Sequence, residues 1–447
     1  MTRSDPVPPT ALSPSPALAM RGRALVLFGL AFIAASCGRE PALPTLESLG
    51  MSETDAEPVL CAVPDRTLRV DTLAAGLAVP WDVTFLSDGR ALFTERPGRI
   101  RVFTADGELD PEPWATLDIH AREEVGLMGI DARRNEAGEL EVYVAATHRP
   151  APSGQVSRVV GGAWRRLLRL IDPERGHPIT LRVMRIPEVE GRAGEPDVIV
   201  ENLPAFMLHG GGALRFGPDG LLYVTNGDAA EPRTAHDPRS MRGKILRFEP
   251  DGRPAGALPD APGSPVFALG IRHVQGMAWD ADTGRMLVID HGPSGMIQED
   301  YRGNRDELSS VAGGDHLGWP IATGTTSGGP FVSALTSWTP AIAPAGFDLY
   351  RFAGSPWDGS ALVSGLRGET LRRLELEQDA AGSLSVRCED VVLERDYGRL
   401  RMVRVAPDGT VWMSTSNTDG RGVPRDGDDL LLRLHPPAPS VSTTSYR

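Results

Sequence analysis

Lysine is almost missing from this sequence. Lys244 is the only one, so nearly all of the 46 basic residues are arginine, about one residue in ten. Against 59 acidic residues this leaves a formal net charge of −13, which argues against nucleic acid as a partner. With arginine so common, no single arginine is informative by itself. Cysteine is also scarce: Cys37, Cys61 and Cys388 are all there are, so the 447-residue chain must rest on a large apolar core. Long amphipathic helical periodicity is absent. Only one apolar run stands out, about a dozen residues between Met20 and Cys37, and it is too short to span a bilayer comfortably.

That run has a different meaning. MRGRALVLFGLAFIAASC, residues 20–37, combines two arginines, an apolar stretch, small residues and a cysteine. It resembles a bacterial lipoprotein signal with Cys37 as the lipidated residue, although Ala34 departs from the usual leucine and leaves ordinary secretion open. We therefore expect residues 1–37 to act as a signal segment and the protein to be periplasmic, with membrane contact only through Cys37. Residues 38–65 read as a tether, 66–437 as the folded domain and 438–447 as a disordered tail. Cys61 and Cys388 then either pair in an oxidising compartment or stay as two separate thiols.

What the sequence has instead of helices is a recurring turn with glycine followed by an alternating strand. It reads SDGRALFT, EAGELEVYV, PDGLLYVT, DTGRMLVI, WDGSALVS and PDGTVWMS, with glycines at 89, 138, 220, 284, 359 and 409. Six copies predict an all-β chain: a six-bladed β-propeller of four-stranded antiparallel blades. A sandwich or a pair of barrels is the alternative, which similarity between the repeats disfavours. Residues 150–200 and 294–305 read as loop insertions. RTLRVDTL (66–73) can close the ring beside DLLLRLH (429–435).

One hairpin carries chemistry. In MLHGGGALRFGPDGLLYVTNGD (207–228), strands 213–216 and 221–225 flank a Gly-Pro-Asp-Gly turn. If Phe216 faces Leu221, antiparallel pairing returns Asp228 to the side of His209. The glycines next to His209 permit close backbone approach.

Six stretches resemble, in order, the soluble quinoprotein glucose/sorbosone dehydrogenases, which include periplasmic aldose sugar dehydrogenases using pyrroloquinoline quinone (PQQ). They are 76–103, 125–130, 209–228, 241–252, 268–284 and 306–320, within a likeness spanning roughly 68–435. The resemblance implies the same six-bladed fold and oxidation of a sugar at its anomeric hydroxyl to the lactone. It implies His209 as general base, with Asp228 stabilising the imidazolium. It places PQQ, a triacid, on Arg272, Gln275, Arg367, Arg399 and Arg401. It places Ca²⁺ on the backbone of Gly292 and Pro293, and puts Glu307 where some relatives hold a second ion. Glu124 falls on a substrate-side glutamine, and the electron acceptor is left open. Ala213, His273, Val274 and Glu124 depart from the family pattern. His291 either lines the site or is structural; Trp81, Trp279, Trp319 and Trp412 either stack on the cofactor or pack between blades. Lys244 reads as structural and His316 as a loop residue. The competing functions are a Ca²⁺-dependent lactonase and a non-catalytic propeller that binds glycan or protein.

Overall fold

Each of the six repeat glycines closes the hairpin between the first and second strands of one small sheet. All six have φ between 68° and 90°, the left-handed region in which a Cβ is strained. The computed structural model describes residues 43–54, 58–61, 68–150, 179–293 and 304–437. Among these the only helices are two short 3₁₀ turns, Glu47–Leu49 and Pro232–His236.

Six antiparallel sheets form the blades. Blade 1 runs Pro80–Phe85, Ala91–Glu95, Arg99–Phe103 and Ala115–Thr116. Blade 2 runs Leu127–Arg134, Leu140–His148, Ile179–Val189 and Asp197–Ala205. Blade 3 runs Leu214–Phe216, Leu222–Asn226, Lys244–Phe248 and Val266–Leu269. Blade 4 runs Val274–Trp279, Met286–Asp290, Asp306–Val311 and Thr336–Trp338. Blade 5 runs Pro344–Tyr350, Ser360–Gly365, Thr370–Gln378 and Leu384–Glu394. Blade 6 takes Leu400–Val405, Val411–Thr415 and Leu431–His435, and is completed from the N-terminal side by Arg69–Ala74, which pairs Val70 with Leu434. The architecture is the expected six-bladed β-propeller.

Three details differ from the sequence reading. Blade 2 has a fifth short strand, Arg192–Ala193, paired with Ile179–Val189. Residues 179–205, most of which fall in the stretch read as an insertion, are largely blade strands. The key hairpin pairs Phe216 with Leu222 and Leu214 with Val224, one residue away from the expected register.

The core is six wedges, one between each pair of neighbouring blades. Leu362 and Leu371 of blade 5 meet Val403, Met413 and Leu432 of blade 6, for example. Blade 6 then meets blade 1 through Met402, Leu431, Val83 and Phe93. Trp412 packs edge-on against Phe85 and Phe103, with centroids 5.2 and 5.3 Å away, and Trp279 packs on Tyr223 at 4.9 Å. These two tryptophans fill the gaps between blades.

The segment read as a tether is partly docked. Ser52 pairs with Ser327 and Glu53 with Thr326, Met51 is buried, and Cys61 is joined to Cys388 by a disulfide. The signal segment, Cys37 and the tail lie outside the described residues. No described helix is long and apolar enough to cross a membrane.

Candidate active site

At five of the six junctions the first strands of neighbouring blades pack against one another round the central axis, and between blades 3 and 4 the second strand of blade 3 meets the first of blade 4. A residue at the start of a first strand therefore shares one mouth of the ring with a residue at the end of a second strand. The six glycine turns occupy the other mouth. By this rule His209, Arg272, Gln275, Arg399, Arg401 and Glu124 (first-strand starts) meet Asp228 and Gly292 (second-strand ends).

His209 sits outside the paired strands with φ 54°, followed by Gly211 at 67°. This left-handed backbone, not the ladder register, turns the ring back onto Asp228. The fit is close: a Cβ on Gly227 would lie 2.0 Å from the His209 carbonyl oxygen. His209 Nδ1 is 2.8 Å from Asp228 Oδ1. Asp228 is fully buried, and it accepts from Ala230 N–H on Oδ1 and from the Trp319 indole N–H on Oδ2, each at 2.8 Å. Burial pushes its carboxyl up, but the His209 ring, then Arg272 and Trp319, hold it below the usual carboxylate range. An ionised Asp228 fixes the proton on Nδ1. Nε2 is left as the basic nitrogen, with no hydrogen-bond partner among the described residues.

Glu124 binds the same histidine from the other side. Its Oε2 accepts the His209 backbone N–H at 2.8 Å and lies 3.4 Å from His273 Nε2, while its Oε1 accepts from Arg421. Burial raises its carboxyl, yet Arg421 and His209 bring it down to about 2. His273 is buried, and its Nδ1 accepts Gly211 N–H at 3.1 Å. Burial, and then the His209, Arg272, Arg401 and Arg421 charges, lower it well below the ordinary range and keep it neutral. His291, likewise lowered by burial and then by His273, completes a row of three imidazoles with centroids 5.7 and 4.8 Å apart.

Next to the imidazoles stands a guanidinium cluster. Arg401 lies over the Trp81 ring at 4.1 Å, donates to Gln275 Oε1 at 3.2 Å and is 3.5 Å from Asp419. Arg399 shares that Asp419 oxygen at 2.9 Å. Burial pushes Arg401 down to about 9, with Asp419 opposing and Arg399 and Arg96 adding to the push. The surplus of buried positive charge suits a polyanionic ligand such as PQQ. Arg272, also buried, stacks on Trp319 at 5.5 Å and donates to the His291 carbonyl at 3.2 Å. Beyond Gln275 and Arg401 lies a small cavity, with Asp82, Arg215 and Arg404 in its wall.

Carboxylates gather at blade 4. Burial raises Asp290, Asp306 and Glu307 to about 6, 7 and 8, and Asp290 adds to the rise at Glu307. Asp306 accepts Gly292 N–H at 3.0 Å and Ala343 N–H at 2.7 Å, and Glu307 accepts Gly324 N–H. Carbonyl and carboxyl oxygens beside Gly292 and Pro293 fit Ca²⁺, whose charge would return these raised carboxyls to the ionised form. The three carboxylates do not converge: among the described residues the one tight group of potential ligands is Cys61, Glu375 and Cys388, whose cysteines form the disulfide. An ion here would therefore depend on backbone carbonyls.

Of the residues picked from the sequence, His209, Asp228, Glu124, Arg272, Gln275, Arg399 and Arg401 form one connected set. Gly292 joins it through Asp306 and blade 4. Arg367 stands apart, exposed and bonded to Asn304 at 2.7 Å. Sequence reasoning missed Arg421, Asp419 and Arg96, and it left Trp319 undecided. No local motif marks the first three, which arrive on loops from other blades.

A family model described as Glucose / Sorbosone dehydrogenase matches residues 77–432. Aldose sugar dehydrogenase YliI of Escherichia coli (strain K12) is 24% identical over 381 residues, covering 79% of this chain and 91% of the relative. The crystal structure of an oxidoreductase described as a glucose dehydrogenase, from Thermus thermophilus, superposes with a TM-score of 0.68 at 35% identity, covering 82% of this chain and 100% of that one. The PQQ-bound aldose sugar dehydrogenase of Streptomyces coelicolor superposes with a TM-score of 0.66 at 31% identity, covering 83% and 99%. With its ring of six blades, its His–Asp dyad and a family match across almost the whole propeller, this chain belongs to the glucose/sorbosone dehydrogenase family.

Proposed function

We propose that the protein is a PQQ- and Ca²⁺-dependent oxidoreductase of the periplasm that oxidises an aldose or related sugar at its anomeric hydroxyl to the lactone. The observation that carries the proposal is the 2.8 Å contact of His209 Nδ1 with Asp228 beside a guanidinium-rich mouth, with no described residue bonded to Nε2. His209 Nε2 takes the anomeric hydroxyl proton, and Asp228 stabilises the imidazolium that results. Glu124, ionised, accepts hydrogen bonds from sugar hydroxyls. Arg272, Gln275, Arg399 and Arg401 would hold the PQQ carboxylates, with Arg367 as a rim cation, and the Gly292 and Pro293 carbonyls, beside Glu307, would hold Ca²⁺. When bound, PQQ supplies the hydride acceptor and Ca²⁺ the Lewis acid. Residues 1–37 would direct export, with Cys37 as the lipid attachment. The glucose and aldose dehydrogenase names of the relatives, and the PQQ in the Streptomyces structure, support this reading.

The test is titration of purified apo protein with PQQ, with and without Ca²⁺, followed by dye reduction across an aldose panel. His209→Ala is expected to lose about 10² or more in turnover and to keep its PQQ affinity. Absence of both quinone binding and sugar oxidation would favour the non-catalytic propeller.

A further inference from the structure

Trp319 touches both halves of the site. Its indole N–H donates to Asp228 Oδ2 at 2.8 Å, and its ring carries the Arg272 guanidinium at 5.5 Å. Asp228 N–H in turn donates to the Arg272 carbonyl at 2.9 Å, so the tryptophan bridges two residues whose backbones are already joined. Its own backbone N–H is fixed on the Gly270 carbonyl at 3.0 Å, and the side chain is buried. Trp319 comes from the loop between the third and fourth strands of blade 4, whereas Asp228 follows a strand of blade 3.

We propose that Trp319 is a positioning residue that sets the basicity of His209 through Asp228 and, by its ring, fixes Arg272 relative to that dyad. Asp228 has two oxygens with different duties. Oδ1 faces His209 and Ala230 N–H, and among the described residues Oδ2 accepts from the indole N–H alone. An N–H donor on Oδ2 draws negative charge away from Oδ1, which weakens the hold of Oδ1 on an imidazolium. The indole therefore keeps His209 from protonating too readily. The other charged or titratable groups around the dyad are Glu124, with Arg421 behind it, His273, Arg272, Arg242 and Asp290, and among the described residues none of them hydrogen-bonds to Oδ2. The role of the dyad in turnover rests on the function proposed above; the coupling of Trp319 to His209 does not.

Two variants separate the two contacts. Trp319→Phe removes the N–H and keeps a ring under Arg272; Trp319→Leu removes both. The first measurement is the pKa of His209 in full-length protein, by NMR with histidine-selective labelling. In Trp319→Phe it rises by about half a unit to one unit, the scale of one lost hydrogen bond to a carboxylate. The acid limb of the kcat/KM profile moves up by the same amount, with PQQ affinity unchanged. Trp319→Leu additionally weakens PQQ binding by about five- to tenfold, the scale of a lost cation–π contact. If Phe does not fold, benzothienylalanine at the same position keeps the bicyclic shape and lacks only the N–H. A His209 pKa that does not move overturns the proposal even when turnover is normal. A shifted pKa in a protein with no turnover upholds the coupling and overturns the dehydrogenase reading instead.

Discussion

Glu124 keeps its charge in a place where burial alone would neutralise it. Arg421 and the His209 backbone N–H bring its carboxyl from the ordinary value of 4.5 to about 2. Because the folded value lies below the unfolded one, the stabilisation is fully present above about pH 4.5 and is lost as pH falls towards 2. A shift of that size corresponds to at most about 3 kcal/mol. Glu124→Gln should therefore lower the urea midpoint clearly at pH 7, and the gap from the natural protein should shrink as the pH is lowered from 5 to 2. A gap independent of pH would mean that the residue stabilises the mouth by shape and not by charge. At the same scale Lys244 shows what a lone lysine does here. Its Nζ is buried and donates to the Thr234, Ala235 and Arg242 carbonyls at 3.1, 2.8 and 2.6 Å. Lys244→Met leaves those acceptors without a donor. It is expected to cost about 2–4 kcal/mol in unfolding free energy, read from denaturant curves.

At the scale of elements, the loop that carries Trp319 is covered by the N-terminal segment. Ser52–Glu53 pairs with Thr326–Ser327, and a Cβ on Gly329 would lie 2.2 Å from Met51 Cγ. The Cys61–Cys388 disulfide ties the far end of this segment to the outer strand of blade 5. Cys61→Ser is expected to cost about 2–4 kcal/mol and to make residues 43–61 the first site of limited proteolysis. Cleavage that is equally slow in the variant would show that the strand pairing holds the segment unaided. The elements also explain what could be read in advance. The glycine turns were legible because a left-handed turn and its flanking strand lie close together in sequence. His209 and Asp228 were legible because one hairpin carries both, even though the register was one residue off. Trp319 meets Asp228 across 91 residues and Arg421 meets Glu124 across 297, on loops that no local pattern describes. The register error did not hide the dyad because the left-handed turn at His209, not the ladder, sets its geometry.

The whole molecule depends on one closure. Blade 6 borrows Arg69–Ala74 as its fourth strand, so that both ends of the described propeller meet in a single sheet. An unclosed ring would expose the edge of Leu431–His435 and uncover part of the wedge in which Leu68 and Val70 pack on Leu432 and Leu434. All six wedges belong to adjacent blades, so loosening one junction lets its neighbours slide and widens the mouth where residues from five blades must meet within hydrogen-bond reach. A chain beginning at residue 68 should thus lose the docked N-terminal segment but keep the ring, with a cooperative transition and PQQ binding retained. One beginning at residue 76 should aggregate or melt over a broad range, and should bind PQQ weakly if at all. Thermal melts and quinone titration of the two truncations, side by side, check this. Equal behaviour of both would mean that the six blades hold their circle without the closing strand, and that the precision of the His209 site comes from the loops alone.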